Sequence, residues 1–203
     1  MTDNVQIVEK PEWISWDDIH EILWVSHEEN RKKGICMRTT LLNGKELYER
    51  IRSNAQRWKT FVALDGEVVV GTCSVKIKTD NRWYAKGKVC YFMLEGIIPE
   101  YQGKGINKKF YKVCEQFAIS EGCDILTFDT AEPNVLKQKI EERNGFRHVD
   151  FFSSPSMHYS VIMAKWLGKC PYSRLYCMMR YQLKKTKIKI KFKHGGKKRF
   201  CLL

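Results

Sequence analysis

Two glycines separated by one residue, Gly103 and Gly105, mark the segment best suited to chemistry, which reads QGKGIN from Gln102 to Asn107. An apolar run that ends at Pro99 precedes it, and a long amphipathic run follows it. Glycine tolerates unusual backbone angles and lets a ligand approach the main chain closely. Because the first N–H groups of a helix lack intrahelical partners, a helix that begins here would attract a phosphate or pyrophosphate. The glycines alone are equally compatible with a plain turn between a strand and a helix.

Two common phosphate-binding motifs do not describe this segment. A P-loop requires G-x-x-x-x-G-K-[ST], which does not occur in the sequence. The dinucleotide-binding pattern G-x-G-x-x-G requires a glycine where this chain has Lys108, and it usually follows the first strand of a domain. Here the first half of the chain precedes the glycines, so a dinucleotide is a poor candidate.

A third motif fits better. The stretch PEYQGKGINKKFY resembles the acetyl-CoA-binding motif R/Q-x-x-G-x-G/A of the GNAT superfamily of N-acetyltransferases. Gln102 takes the first position and Gly105 the fourth, while Asn107 stands where Gly or Ala is usual. Asparagine tolerates left-handed backbone angles better than most residues, which makes this exchange a mild one.

A second stretch supports the same family. EPNVLKQKIEERNGF resembles the later GNAT segment N-x-x-A-x-x-L-Y-E-x-x-G-F, and a predicted strand lies between the two motifs as in the family. The matching residues are Asn134, Ile140, Glu142, Gly145 and Phe146.

The resemblance implies a fold and a co-substrate. The fold would be α/β (α+β), with a GNAT-like mixed, mostly antiparallel sheet and helices on both faces. The charge distribution adds a basic C-terminal tail to this fold. The co-substrate would be acetyl-CoA, whose acetyl group passes to an amine. Its pyrophosphate would be held by main-chain groups of six successive residues: Gln102, Gly103, Lys104, Gly105, Ile106 and Asn107. Its pantetheine arm would pair with the main chain of Gly96, Ile97 and Ile98 and with the side chain of Asn134.

Transfer to an amine needs a base for the amine and an acid for the leaving thiolate. Glu95 is the first candidate for the base, because it lies just before the cofactor segment; a solvent-facing carboxylate is the alternative. GNAT enzymes often use as the acid a tyrosine four residues before the Gly-Phe pair, where this chain has Glu141. Lys137 likewise replaces a small residue of the motif. We therefore predict Tyr159 as a replacement acid, with Tyr91 as an alternative.

The hydrophobic periodicity predicts the elements that position these residues. In chain order it indicates a strand, two helices, a hairpin, a strand, a helix, a strand, a helix and two final strands. The first helix is expected to run from an N-cap at Ser15 to a stop at Gly34. The hairpin turns at Asp65-Gly66, and the helix of the second motif starts at Pro133. Strand–helix–strand units together with hairpins imply a mixed sheet.

Charge is concentrated at the C-terminal end. The 203-residue chain has a formal net charge of +13, and the segment from Lys169 to Leu203 contains twelve of the 36 Lys and Arg residues and no Asp or Glu. We therefore predict a GNAT-like acetyl-CoA-binding domain at 1–168 and a basic amphipathic extension at 169–203. Five residues are expected to share one helical face of the extension: Tyr172, Leu175, Tyr176, Met179 and Leu183.

Several partners suit this extension. A basic amphipathic helix is typical of attachment to an anionic membrane surface. The extension could also dock onto the domain's own acidic surface or onto a partner subunit, as in a homodimer, or bind nucleic acid through phosphates. A membrane surface or a protein partner is favoured over nucleic acid, because the sequence contains no recognised nucleic-acid motif.

Composition narrows the class of protein further. The N-terminus lacks the basic start and apolar run of a secretory signal, and no stretch approaches the ~18 consecutive apolar residues of a membrane span. The eight cysteines form no C-x-x-C pair and no ligand-like spacing with histidine, so reduced thiols and no metal are expected. These features predict a cytoplasmic protein, with the inner face of the membrane as a further location suggested by the tail.

The acceptor amine is the least specified part of the prediction. We expect a small molecule, with an amino sugar as one candidate, near the loop that contains His158. One alternative function is a GNAT-fold module that binds acyl-CoA without turnover, motivated by Glu141 at the usual tyrosine position. Another is a nucleic-acid-associated acetyltransferase, motivated by the basic tail.

Overall fold

The computed structural model describes residues 4–35, 38–85, 87–153 and 159–193 of the 203-residue chain. The strands are β1 Val5–Glu9, β2 Arg57–Asp65, β3 Val68–Asp80, β4 Gly87–Ile97, β5 Ile125–Ala131, β6 Arg147–Ser153 and β7 Tyr159–Trp166. The α-helices are α1 Trp16–Ser26, α2 Glu28–Lys32, α3 Gly44–Arg52, α4 Ile106–Ser120, α5 Val135–Arg143 and α6 Arg174–Lys193. Short 3₁₀ turns cover Arg38–Leu41 and Pro99–Tyr101.

The strands form one sheet in the order β1-β2-β3-β4-β5-β7-β6. Each neighbouring pair is antiparallel except β4 and β5, which are parallel. The hairpin between β2 and β3 turns where Gly66 takes a φ of 62°, a conformation that glycine adopts without strain. The predicted fold class, a mixed and mostly antiparallel sheet, is confirmed.

Helices cover both faces of the sheet because strand side chains alternate in direction. In β2, Phe61 and Ala63 belong to the core that contains α4, whereas Val62 packs with Ile19 and Leu23 of α1 on the opposite face. The predicted arrangement of helices on both faces is therefore also confirmed.

The first predicted helix is interrupted. Ser15 caps α1 as expected, accepting a hydrogen bond of 3.0 Å from the main-chain N–H of Asp18. The predicted continuous helix to Gly34 is wrong, because His27 leaves helical geometry and separates α1 from α2. At that break the His27 side chain turns towards β4 and bonds to the main-chain carbonyl of Glu95.

The start of α5 also differs by a few residues from the prediction. Asn134 caps the helix, with its side chain accepting from the main-chain N–H of Lys137, so Pro133 precedes the cap instead of opening the first turn. The helix ends near Gly145, whose φ of 92° continues the chain into β6.

The helical part of the basic extension packs against β6. Cys177 and Tyr181 of α6 are buried, and Tyr181 joins the main core. Before α6, the Tyr172 hydroxyl donates a 2.8 Å hydrogen bond to the Trp83 carbonyl. The helix α6 is therefore docked onto the domain's own surface, which was one of the alternatives for the extension. The domain boundary near Gly168 stays a prediction. Residues 194–203 and the loop with His158 lie outside the described residues.

Ion pairs add to the packing of α6. Lys184 lies 2.5 Å from Asp150, and both Lys185 and Lys189 reach Glu132, at 2.8 and 2.7 Å. Among the helices that the structure describes, none combines the length and apolar character needed to cross a bilayer.

Candidate active site

A bulge in β4 sets the geometry of the site. Thr72 of β3 pairs with Gly96 and Ser74 pairs with Met93, so two residues of β4 stand opposite one residue of β3. Leu94 takes a φ of 51°, which costs a non-glycine residue about 1 kcal/mol. Its buried side chain packs in the core beneath α1 and holds this conformation in place. The bulge redirects the main chain immediately before Glu95.

The strands β4 and β5 separate beyond their first residues. Within the described residues their ladder consists of Cys90 with Leu126 and Tyr91 with Thr127. Since β4 continues to Ile97 and β5 to Ala131, the later halves of both strands leave an opening in the middle of the sheet.

Main-chain groups at the end of β4 are partly used inside the fold. The Ile98 N–H donates to Val70 of β3 (3.1 Å), and the Ile98 carbonyl accepts from Tyr101 (3.0 Å). Because N–H groups alternate in direction along a strand, the Ile97 N–H faces the opening towards β5. By the same alternation the N–H groups of Gly96 and Ile98 face β3, so Ile97 is the residue of the three whose N–H is directed to the opening, and the pairing with pantetheine stays a prediction.

Gly96 also fixes the distance between β4 and α1. A Cβ atom at this position would overlap Ser26 Oγ and approach Leu23 Cδ2 to 3.2 Å. Glycine therefore allows α1 to lie directly against the strand that bounds the opening.

The loop that follows β4 presents a row of N–H groups. Gly103 and Gly105 have φ angles of 76° and 82°, and a Cβ atom at either would meet no atom within 4 Å. In the part of the chain that the structure describes, the main-chain N–H groups of residues 103–107 make no hydrogen bond. Such a concave row at a helix start binds anions. The glycines are thus open towards solvent as a phosphate cradle requires.

Neighbouring side chains hold this cradle in place. Ile106 is buried in the core at the start of α4, and Gln102 Nε2 donates to the Ile97 carbonyl at 2.9 Å. The Lys104 ammonium lies 4.6 Å from the ring centroid of Tyr101. Asn107 Oδ1 is buried without a hydrogen-bond partner among the described residues.

Glu95, Lys137 and Glu141 form a buried ion cluster between β4 and α5. Lys137 Nζ contacts Glu95 Oε2 and lies 2.7 Å from Glu141 Oε1. The exposed fractions of the side chains are 15% for Glu95, 20% for Lys137 and 0% for Glu141. Among the described residues Glu141 Oε1 has no assigned hydrogen bond, and its contact with Lys137 is an ion pair. One ammonium thus faces two carboxylates.

This environment shifts the proton affinities of the cluster. Burial raises the pKa of the Glu95 carboxyl, and the charge of Glu141 adds to this effect while Lys137 opposes it. Burial alone would lower the pKa of Lys137, but Glu95 and Glu141 outweigh it and leave that pKa above its ordinary value. The cluster therefore combines a carboxylate with high proton affinity and an ammonium that stays charged.

Aromatic rings from both separated strands surround the ammonium. Lys137 Nζ lies 5.9 Å from the ring centroid of Phe92 in β4 and 5.6 Å from that of Phe128 in β5. It also lies 3.5 Å from the hydroxyl of Tyr111. Burial, followed by the charges of Glu95 and Glu141, raises the pKa of Tyr111 well above its ordinary value, so the phenol keeps its proton.

His27 is a site residue that the sequence reasoning missed. Its Nε2 lies 2.9 Å from the Glu95 carbonyl oxygen, which can only accept, so Nε2 carries the proton. Its Nδ1 then accepts from Asn30 Nδ2 at 3.3 Å. Burial lowers the pKa of His27 to about 4, with the charges of Lys137 and Arg31 contributing. A neutral imidazole thus holds the main chain of the proposed base.

The contacts described for the two tyrosines that were predicted as acids involve residues outside this cluster. The Tyr159 ring packs on Phe151 at 5.2 Å between centroids, and Lys189 Nζ lies 5.6 Å from its centroid. The Tyr91 ring lies 3.9 Å from Lys78 Nζ. The role of Tyr159 as the acid stays a prediction.

Among the described residues, no group of three or more His, Cys, Asp or Glu side chains is arranged to hold a metal ion.

The sequence model described as the Acetyltransferase (GNAT) family matches residues 16–146, which include the bulge, the cradle and the ion cluster. The chain belongs to the GNAT family of acetyltransferases. A search of curated proteins found no match to this GNAT chain.

Solved structures share the fold of this GNAT protein at low sequence identity. A PaiA N-acetyltransferase from Thermoplasma acidophilum, in complex with coenzyme A, is 17% identical, with a TM-score of 0.61 over 80% of this chain and 98% of its own. A GNAT family acetyltransferase from Elizabethkingia anophelis with acetyl-CoA bound is 12% identical, with a TM-score of 0.56 over 81% and 99%. One from Staphylococcus aureus is 15% identical, with a TM-score of 0.61 over 81% and 99%.

Proposed function

We propose that this protein is an N-acetyltransferase that transfers the acetyl group of acetyl-CoA to the amine of a small molecule. The observation that carries the proposal is the opening between β4 and β5. The Glu95 carboxylate lies beside this opening on β4, and the row of N–H groups of residues 103–107 follows β4. The ligands in the two solved relatives, CoA and acetyl-CoA, support the same co-substrate.

The residues around the opening fit acetyl-CoA, which supplies an activated acyl group. The main-chain N–H groups of residues 103–107, flanked by Gln102, would hold its pyrophosphate. The N–H of Ile97, next to Gly96, would bind the pantetheine arm as an edge strand binds a peptide. The Asn134 amide, whose oxygen caps α5, has its nitrogen left to hold the same arm.

Glu95 is the proposed base. It would remove the proton from the amine nitrogen while the new N–C bond forms. Its raised pKa suits this step, because a base is most effective when its pKa approaches the operating pH. The bulge at Leu94 and the hydrogen bond from His27 would hold the carboxylate in position.

Calorimetry with acetyl-CoA, followed by a CoA-release assay with a panel of amines, tests the proposal. The panel includes amino sugars, our candidate acceptors, together with polyamines and amino acids. We expect binding and turnover with some of these amines. Glu95→Gln should keep co-substrate binding and lose at least about 100-fold in rate. Glu67→Gln, which removes an exposed carboxylate in the β2–β3 turn, is the matched control.

Two outcomes would count against this function. Binding without transfer to any amine would favour a module without turnover. Failure of the wild-type protein to bind acetyl-CoA would contradict the proposal altogether.

A second proposal concerns the surface of α6, which we infer to be attached to an anionic membrane. One face of α6 is buried through Cys177 and Tyr181. On the opposite face four large apolar side chains are exposed: Leu175 by 60%, Met179 by 53%, Leu183 by 67% and Ile190 by 53%.

Basic residues flank this exposed stripe. Arg174, Arg180, Lys187 and Lys191 are exposed, and α6 contains no acidic residue. An apolar stripe with cations beside it complements a bilayer interface with anionic headgroups.

Co-sedimentation with vesicles separates the candidate partners of this stripe. We expect binding to vesicles of phosphatidylglycerol, weak binding to phosphatidylcholine, and loss of binding in Met179→Glu/Leu183→Glu. Ile119→Glu, which alters an exposed apolar residue of α4, is the control and should bind normally. Binding to RNA in preference to vesicles, or equal binding by the double variant, would contradict membrane attachment.

A further inference from the structure

The residue at position 141 does not suit the role of stabilising the leaving thiolate. Thioester cleavage places negative charge on sulfur, which needs a nearby donor or cation. Glu141 stands where the matched motif has tyrosine, and it is fully buried. A carboxylate at that place would repel the thiolate, so another group must neutralise it.

Lys137 lies one helical turn before Glu141 and faces the same way. Its ammonium contacts Glu95, lies 2.7 Å from Glu141 and sits among Phe92 and Phe128, where β4 and β5 separate. This is a cation at the opening proposed for the co-substrate, and it is joined directly to the proposed base.

We propose that the Lys137 ammonium stabilises and protonates the CoA thiolate, in place of the tyrosine acid of the matched motif. This inference rests on the proposed acetyltransferase function. As the N–C bond forms and the C–S bond breaks, Glu95 takes the amine proton and the C–S electron pair stays on sulfur. Lys137 donates a proton to that sulfur and regains one from Glu95 through their contact. Each proton is thereby accounted for, and both side chains return to their starting states.

Glu141 acts as a positioning residue in this scheme. Its ion pair holds the Lys137 side chain towards the opening, and its charge helps to keep the ammonium protonated. Without it, Glu95 alone would oppose the effect of burial, which lowers the pKa of Lys137. Lys137 and Glu141 thus form an (i, i+4) ion pair, in which each charge offsets the cost of burying the other.

Other groups near the ammonium are less suited to this step. Tyr111 lies 3.5 Å from Lys137 and carries no charge to offset that of a thiolate. Tyr159 packs on Phe151 beside Lys189. The neutral His27 side chain is engaged by the Glu95 carbonyl. Variants of both tyrosines therefore belong in the test.

The test measures the pKa of the CoA thiol in its complex with the protein, using the ultraviolet absorbance of the thiolate. We expect the wild-type protein to lower this pKa by about one unit or more relative to free CoA. Lys137→Met should abolish the shift and reduce kcat about 100-fold. Lys137→Arg should keep the shift in the thiol pKa. Lys139→Met, an exposed position on α5, is the control and should behave as wild type.

Each outcome decides between clear alternatives. An unchanged thiol pKa in Lys137→Met, with CoA still bound, overturns this inference while the acetyltransferase function stands. Tighter acetyl-CoA binding by Lys137→Met would mean that Lys137 obstructs the opening, which also overturns it. A shift abolished by Tyr111→Phe or Tyr159→Phe, and kept by Lys137→Met, assigns the acid to that tyrosine. No CoA binding by the wild-type protein contradicts both proposals.

Discussion

The imidazole Nε2 of His27 lies 2.9 Å from the main-chain carbonyl oxygen of Glu95, across 68 residues of sequence. This hydrogen bond joins the break between α1 and α2 to the strand residue that we propose as the base. The residue at which α1 ends therefore also contacts β4 through its side chain.

Replacing His27 with alanine is expected to weaken both stability and activity. The Glu95 carbonyl would lose its donor in a partly buried place, at a cost of about 1 kcal/mol in the free energy of unfolding. His27→Gln, which keeps a donor, should recover part of this loss. Urea unfolding measures the difference, and equal stability of the alanine variant and wild type would contradict the role assigned to His27.

The same histidine predicts a pH dependence of stability. Its pKa is lowered from 6.5 to about 4 in the folded protein, chiefly by burial. Between these values the unfolded chain binds the additional proton, so wild-type stability should fall as pH decreases from 6.5 towards 4. His27→Gln lacks this titration, so the stability difference between the two proteins should shift in favour of the variant across that window. Parallel urea midpoints at every pH would rule out the effect.

Gly96→Ala is expected to separate β4 from α1. The new methyl group would overlap Ser26 Oγ, and such overpacking costs about 1–3 kcal/mol. Adding Ser26→Gly should restore part of the lost stability, because it removes the nearest clashing atom. Gly168→Ala serves as the control, since its Cβ would meet nothing within 4 Å. Thermal unfolding of the four proteins tests this order.

The acid limb of the pH–rate profile should reflect Glu95. Burial and the charge of Glu141 raise the pKa of Glu95 above its ordinary value of 4.5, despite the opposing charge of Lys137. A base works when deprotonated, so kcat/KM should fall as pH decreases through this raised pKa. Glu141→Gln removes one negative charge and should move the limb to lower pH. A profile that is flat down to the ordinary range of glutamate would exclude Glu95 as the base.

Acid should loosen the attachment of α6. Burial alone would raise the pKa of Glu132, but hydrogen bonds from Lys185 and Lys189 outweigh it and lower that pKa below 4.5. The stabilisation is present above the ordinary pKa and is lost as pH falls through the lowered value. The protection factors of the α6 amides, which correct the exchange rate for its intrinsic pH dependence, should therefore fall at that pH and, in Glu132→Gln, already at neutral pH. Glu115→Gln, which removes the partner of Lys165, should leave α6 exchange unchanged.

Local patterns predicted much of the fold. The observed elements follow patterns that depend on residues close together in sequence: the strand alternation, the cap at Ser15 and the turn at Gly66. The two motifs likewise located the glycine loop and Asn134 in sequence.

Contacts between distant segments were not predictable in the same way. The His27 side chain bonds to a partner in β4 that is 68 residues away, and the pattern of α1 itself contains no sign of this contact. The sequence did indicate Lys137, because Lys137 and Glu141 both depart from the family motif and lie one helical turn apart. The face of α6 that periodicity indicated as apolar, with Leu175, Met179 and Leu183, is exposed, whereas Cys177 and Tyr181 are buried where α6 packs on β6.

Glu132 connects two parts of the molecule that are far apart in sequence. It is held by Lys185 and Lys189 of α6, and it lies two residues before Asn134, the cap of the helix that contains Lys137. A pull on the C-terminal helix would therefore be transmitted as mechanical load to the start of α5. A fusion or surface tether attached after α6 would therefore place its load on the helix that contains Lys137.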